Sequence, residues 1–236
     1  MKMELKGEKR DIEAIIFDMD NTLFDFVEAK MKACRKVTES VGVNDGTELF
    51  NYFLRDGVGF EDVECIADYL RDRSIYEEVT YRQCCDIYEK TKLENIETYD
   101  GVRETLQFLE KKGFGLALVT NADRKNLDAR LEKADLSHFF DTTVSSEETG
   151  KAKPDLSPLL LALDELGMEA PETLKVGDSL TRDISPAKKL GMITAYAEYG
   201  DKNLEKEEDL EPDYKLKDIK DLIPLLRENI NRFSKG

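Results

Sequence analysis

The sequence predicts an α/β protein, a doubly wound parallel sheet interrupted by an all-helical insertion. Three observations carry the prediction. Short continuous apolar runs such as "AIIF" (14–17) and "GLALVT" (115–120) recur along the chain, as expected of strands buried on both faces. From about residue 98 onward those runs alternate with stretches of helical spacing. Residues 25–97, by contrast, show helical spacing alone.

Taken in order, "AIIF" is the first strand. In the following segment Ala29, Ala33 and Val37 recur at helical spacing, as do "DVECIADYLRDR" and "YRQCCDIYEKTK". Val102, Leu106 and Leu109 make one helix face, with Gly113 as its stop, and "GLALVT" is the second strand. Leu127, Leu131 and Ala134 mark another helix, "FFDTTVSS" a strand, and Leu159, Leu160, Leu163 and Leu166 a helix. "LKVGD" is the next strand, Ile184, Ala187 and Leu190 the next helix, and "MITAYA" a further strand. "YGDKNLEKEEDLEPD" is too charged to pack and reads as a solvated loop. "YKL" is an edge strand, and Ile219, Leu222, Ile223, Leu226, Ile230 and Phe233 form a closing amphipathic helix. The expected division is a sheet-bearing core of residues 1–24 and 98–236, with residues 25–97 as the helical insertion.

The totals agree with one to two domains. Hydrophobic residues make up 40 % of the 236 and charged residues 36 %, with a formal net charge of -16. A core of useful size can form. Sequence-independent nucleic-acid binding, which rests on Lys and Arg neutralising phosphates, is disfavoured. An anionic substrate would need local positive charge at its site. The start "MKMELKGEKR" has no apolar stretch behind it and no apolar run reaches about 18 residues, so neither a secretory leader nor a membrane span is expected. A cytoplasmic location is the expectation, and a monomer or a homodimer fits equally. Cys34, Cys65, Cys84 and Cys85 lack the spacing of a redox or zinc motif and read as structural thiols.

In parallel sheets of this kind ligands bind outside the carboxyl ends of the strands. Asp18, Met19, Asp20, Asn21 and Thr22 follow the first strand, Thr120 and Asn121 the second. Asp178, Ser179 and Asp183 follow "LKVG", and "EETGKAKPD" brings Lys151 and Lys153. Carboxylates, a hydroxyl and a lysine thus converge from four distant segments. Two unit charges about 4 Å apart interact by roughly 4 kcal/mol at an effective dielectric near 20. Lys153 offsets one carboxylate at most, so the excess calls for a divalent cation, and an all-oxygen site suits Mg²⁺. Mg²⁺ beside a lysine and a threonine makes a site for a phosphoryl group. One aspartate can attack phosphorus, while the second gives a proton to the leaving oxygen and later takes one from water. Positions i and i+2 of an extended segment face the same way, so Asp18 and Asp20 can reach one substrate.

"FDMDNT", "LVTNA", "GKAKPD" and "VGDSLTRDI" together resemble the four motifs of the haloacid dehalogenase superfamily, in order, over Ala14 to Tyr196. The resemblance implies a Rossmann-like core with a helical cap inserted between the first and second motifs. It also implies that Asp18 is the nucleophile and Asp20 the general acid/base. Thr120 would hold phosphate oxygens with main-chain help from Asn121, and Lys153 would steady the nucleophile and the phosphate. Asp178 would bind Mg²⁺ alongside the Asp18 carboxylate and the Asp20 main-chain carbonyl, supported by Asp183. Thr22, inside the first motif, is grouped with Asp183 as a supporting residue.

Other readings are weaker. A helix cap near Thr22 would explain the paired aspartates alone but not the other motifs. A calcium loop counted from Asp18 puts Leu23 where glycine is needed and Ala29 where glutamate is needed. A phosphate-binding loop fails because Ser145 and Ala152 occupy its required positions. Lys151 competes with Lys153 for the same role, and His138 reads as structural. Within the superfamily, Asp20 favours a leaving group that must be protonated. A Mg²⁺-dependent phosphomonoester hydrolase acting on a small phosphorylated metabolite is therefore expected ahead of a sugar phosphomutase, and that ahead of a 2-haloacid dehalogenase. A silent binding protein is the alternative from another class. Arg55, Arg71, Arg73 and Tyr76 are conceivable substrate contacts in the cap, though each reads more simply as a solvated surface residue.

Overall fold

The computed structural model describes residues 11–202 and 210–233, with side chains as far as Arg227. The expected absence of a leader in residues 1–10, the middle of the charged loop, and the Ile230 and Phe233 contributions to the closing helix lie outside what is described.

Six strands form one parallel sheet: β1 (Ala14–Phe17), β2 (Gly115–Val119), β3 (Thr142–Val144), β4 (Thr173–Gly177), β5 (Ile193–Ala197) and β6 (Tyr214–Leu216). Their order across the sheet is β3-β2-β1-β4-β5-β6. Strand order reverses beside β1, so the chain leaves a crevice there at the carboxyl ends. Register makes that crevice specific: Phe17 pairs with Leu118 on one side and with Val176 on the other. The residues just after β1, β2 and β4 therefore emerge side by side, on strands about 4.8 Å apart. All four residues of β1 are fully buried, as the unbroken apolar run requires.

The chain separates into two compact units, Met1–Phe24 with Thr98–Gly236, and Asp25–Glu97. The second is all helical: α1 (Phe26–Ser40), α2 (Gly46–Tyr52), α3 (Glu64–Asp72) and α4 (Glu78–Glu94). Asp25 caps α1 by accepting from the Glu28 N–H at 2.9 Å, and Asp45 caps α2 in the same way. Its core gathers Ala33, Cys34, Val37, Leu49, Phe53, Cys65, Ile66, Tyr69, Leu70, Cys84 and Tyr88, with Phe53 stacked on Tyr88 at 5.2 Å. All four cysteines are free thiols.

The first unit adds α5 (Val102–Lys112), α6 (Arg124–Ala134), α7 (Ser146–Thr149), α8 (Ser157–Leu166), α9 (Ser185–Leu190) and α10 (Leu222–Phe233). Gly113, at φ 80°, closes α5 in the left-handed region that glycine adopts without strain. Three details depart from expectation. The third strand is only three residues long, because Ser137–Phe139 form a one-turn 3₁₀ segment ahead of it. Ser145 and Glu148 then build a capping box that starts the unforeseen short helix α7. On α8 the buried face is Leu159, Ala162 and Leu163, whereas Leu160 is 50 % exposed, one helical step of about 100° from its neighbour.

Candidate active site

Asp18 follows β1, and its N–H donates to the Val176 carbonyl at 2.8 Å, which carries the sheet register one residue past the strand. Asp178 directly follows β4. Asp183 belongs to a short π-helical stretch, Leu180–Ile184, that Ser179 caps from its side chain. One oxygen from each of Asp18, Asp178 and Asp183 lies within 4.8 Å of the others. All three residues are buried, at 6 %, 2 % and 1 % exposure.

Two buried lysines answer them. The Lys153 ammonium donates to Asp18 Oδ1 and to Asp183 Oδ1 at 2.7 Å. Lys175, inside β4, reaches the same Asp183 oxygen at 3.0 Å. Burial alone would depress the Lys153 ammonium, but Asp18 and Asp183 hold it above its usual range. Burial also acts to raise Asp183, and Lys153 and Lys175 outweigh it, keeping that carboxyl ionised well below the ordinary range. Asp178 goes the other way. Burial, then the charges of Asp18 and Asp183, push its carboxyl well up. Three carboxylates against two lysines leave one charge unbalanced, and the strain appears at Asp178.

Thr22 donates to Asp18 Oδ2 at 3.3 Å, so both Asp18 carboxylate oxygens are held. Thr120, at the end of β2, is buried and anchored by its N–H to Val144. Its hydroxyl accepts from the Ala122 N–H at 3.2 Å, and a hydroxyl that accepts can still donate its own proton. Asn121 acts through its side chain: its Oδ1 accepts from the Lys153 N–H at 2.7 Å, and its Nδ2 donates to the Lys153 carbonyl at 2.9 Å. The pair of bonds fixes the lysine loop to the end of β2. Lys151 is not part of the cluster; it pairs with Asp155 at 3.1 Å on the surface. His138 is exposed on the 3₁₀ turn.

Asp20 sits just past β1 in a turn where Asn21 takes φ 60°. Its Oδ2 accepts from Arg130 Nη1 at 2.6 Å. Arg130, Lys175 and two glycines were not singled out from the sequence. Lys175 did leave a signal: a lysine within a strand buried on both faces stays buried only if it is paired. At Gly177 a Cβ would lie 2.4 Å from the Asp183 carboxyl carbon, and at Gly200 it would lie 1.6 Å from the Asn21 carbonyl oxygen. No sequence pattern announces either approach.

In the helical unit the four conceivable substrate contacts, each read more simply as a surface residue, are tied locally. Arg55 meets Asp72 at 3.5 Å, Arg71 meets Glu64 and Asp68, Arg73 pairs with Glu48, and Tyr76 donates to Glu78. Among the described residues, no helix is long and apolar enough to cross a membrane.

The donor set fits a hard divalent cation. It is all oxygen, anionic, buried and short of one positive charge. Comparison with known proteins points the same way. A family model for haloacid dehalogenase-like hydrolases matches residues 15–197. A glyceraldehyde 3-phosphate phosphatase from Methanocaldococcus jannaschii is 28 % identical over 229 residues, covering 92 % of this chain and 97 % of that protein. A phosphoglycolate phosphatase from Aquifex aeolicus is 30 % identical, covering 94 % of this chain and 100 % of its own length. Among solved structures, a candidate beta-phosphoglucomutase from Thermotoga maritima superposes with a TM-score of 0.77 at 25 % identity, over 92 % of this chain and 99 % of that one.

Proposed function

The chain belongs to the haloacid dehalogenase-like hydrolases, and from that premise we propose that it is a Mg²⁺-dependent phosphomonoester hydrolase working through an aspartyl-phosphate on Asp18. It is a phosphatase of that superfamily, and its substrate is a small phosphorylated metabolite. The observation that carries the finer reading is the pairing at Asp18. Thr22 and Lys153 hold its two oxygens, so the carboxylate is fixed in orientation and close to Asp178 and Asp183.

An Asp18 oxygen attacks phosphorus while the bond to the leaving oxygen breaks, and Asp20 delivers a proton to that oxygen. Water then attacks phosphorus, loses its proton to Asp20, and Asp18 departs with its electron pair. Lys153 and the Thr120 hydroxyl face the negative charge of the phosphoryl oxygens, as phosphoryl transfer requires. Asp18, Asp178 and the Asp20 main-chain carbonyl would hold Mg²⁺, with Asp183 beside them. Bound there, the ion would neutralise charge shared by nucleophile and phosphoryl group. The helical unit Asp25–Glu97 is read as the cap, the part that selects the leaving group. Its arginines at 55, 71 and 73 already have acidic partners within the unit.

Hydrolysis of 4-nitrophenyl phosphate and of a panel of phosphorylated metabolites, with and without Mg²⁺, tests the proposal. Phosphate release that needs the metal is the expected result. No release from any ester would overturn it, and interconversion of sugar phosphates without net release would favour a mutase instead.

A further inference from the structure

Arg130 ranks among the largest fully buried side chains, at 1 % exposure. A buried guanidinium survives only when paired. It pairs with Asp20, 110 positions away, through Nη1 to Oδ2 at 2.6 Å. Nothing in α6 itself requires this. Asp123 already caps that helix by accepting from the Asn126 N–H at 2.7 Å, and Arg124 is turned to Glu148, Asp128 and Thr143. The site thus holds two distinct cation systems. Lys153 and Lys175 serve Asp18 and Asp183, whereas Arg130 serves Asp20.

We propose that Arg130 is the positioning residue for proton transfer: by holding Oδ2 of Asp20, it orients the carboxyl group that exchanges the proton with the leaving oxygen and with the attacking water. The inference rests on the reading of Asp20 as acid/base. Guanidinium geometry suits the task, because a planar, permanently charged donor fixes a carboxylate's orientation as well as its location. Arg130 also rides on the helix that follows Thr120 and Asn121. Proton carrier and phosphate-holding strand end are therefore linked through one connection.

Leaving-group dependence is the test. 4-Nitrophenolate departs as a stable anion and needs little protonation; an alkoxide needs it fully. Rates of Arg130→Met, Arg130→Lys and Asp20→Asn are compared on 4-nitrophenyl phosphate and on the alkyl phosphate that the wild type hydrolyses fastest. In Arg130→Met the alkyl rate is expected to fall about 100-fold, within the range a general acid supplies, and the aryl rate less than about 10-fold. Arg130→Lys, which keeps the charge, recovers part of the alkyl rate. Equal losses on both esters would overturn the proposal, since a merely structural role lowers both together. If Arg130→Met fails to fold, Arg130→Lys decides: a larger loss on the alkyl ester supports the proposal, and an unchanged ratio overturns it. Asp20→Asn separates the two levels. Full alkyl activity there sinks the acid/base reading itself, whereas its loss alongside an unchanged ratio in the Arg130 variants sinks only the role of Arg130.

Discussion

Gly200 runs directly against the main chain of Asn21, so closely that a β-carbon on Gly200 would stand 1.6 Å from the Asn21 carbonyl oxygen. Tyr199, its neighbour, donates its hydroxyl to the Thr22 carbonyl at 2.7 Å. The segment after β5 therefore braces the turn that carries Asp20.

Gly200→Ala should cost about 3 kcal/mol or more, at the upper end of overpacking effects, because the obstructing atom is backbone and cannot rotate away. It should also lower turnover by displacing the Asp20 turn. Gly59→Ala, where the added carbon meets only Asp62 at 3.6 Å, is the control and should stay within about 0.5 kcal/mol of wild type. Urea unfolding of the three proteins makes the comparison, and equal midpoints would refute the bracing role.

Lys175→Met removes one of the two cations on a carboxylate that is 1 % exposed. Breaking a buried pair typically costs about 3–5 kcal/mol, because the remaining charge is stranded. Lys153 still contacts Asp183, so the lower end is expected. Adding Asp183→Asn to Lys175→Met should restore part of the loss. A double variant no more stable than the sum of its single changes would show that the two residues do not interact.

Asp178 sets a pH dependence whose sign follows from linkage. Its folded carboxyl is raised above the usual value of 3.8 by burial and by Asp18 and Asp183. The folded state therefore keeps a proton that the unfolded state loses, and this contribution to stability is lost as pH rises from about that value through the raised one. In chelator, the melting temperature should carry this downward component, and Asp178→Asn should remove it. Mg²⁺ should oppose it by binding the ionised form. Identical pH profiles for wild type and Asp178→Asn in chelator would contradict the charge excess.

Lys30 predicts the opposite slope in the helical unit. It is fully buried, with its nitrogen 3.5 Å from the Phe60 ring centre and 3.8 Å from that of Phe53, and burial pulls it from 10.5 down to about 7. Between those two values the unfolded chain binds the proton and the folded one does not. Stability should then rise with pH, by at most about 1.4 kcal/mol per unit. Unfolding free energies at pH 7, 8 and 9 should show the gain in wild type and not in Lys30→Met; parallel lines would refute it.

How far the sequence reached depends on the kind of contact. Asp18, Thr120 and Asp178 are legible because a parallel sheet delivers whatever follows its strands to one edge. "AIIF", "GLALV" and "LKVG" mark those strands by apolar content alone. The helices of residues 25–97 are legible because the apolar spacing there is helical throughout. Arg130, Lys175 and Gly200 depend on how one element is rotated against another, which no local pattern encodes. Asn121 shows the same limit. Its position at the strand end was readable, but its clamp on the Lys153 main chain belongs to the packing of two loops.

Covalent capture at Asp18 tests the central claim most directly. Acid quenching during steady turnover, reduction with borotritide and peptide mapping should place label on the peptide containing Asp18, and none on that peptide in Asp18→Asn. Steady turnover with no labelled peptide, or with label on a different residue, would contradict Asp18 as the nucleophile.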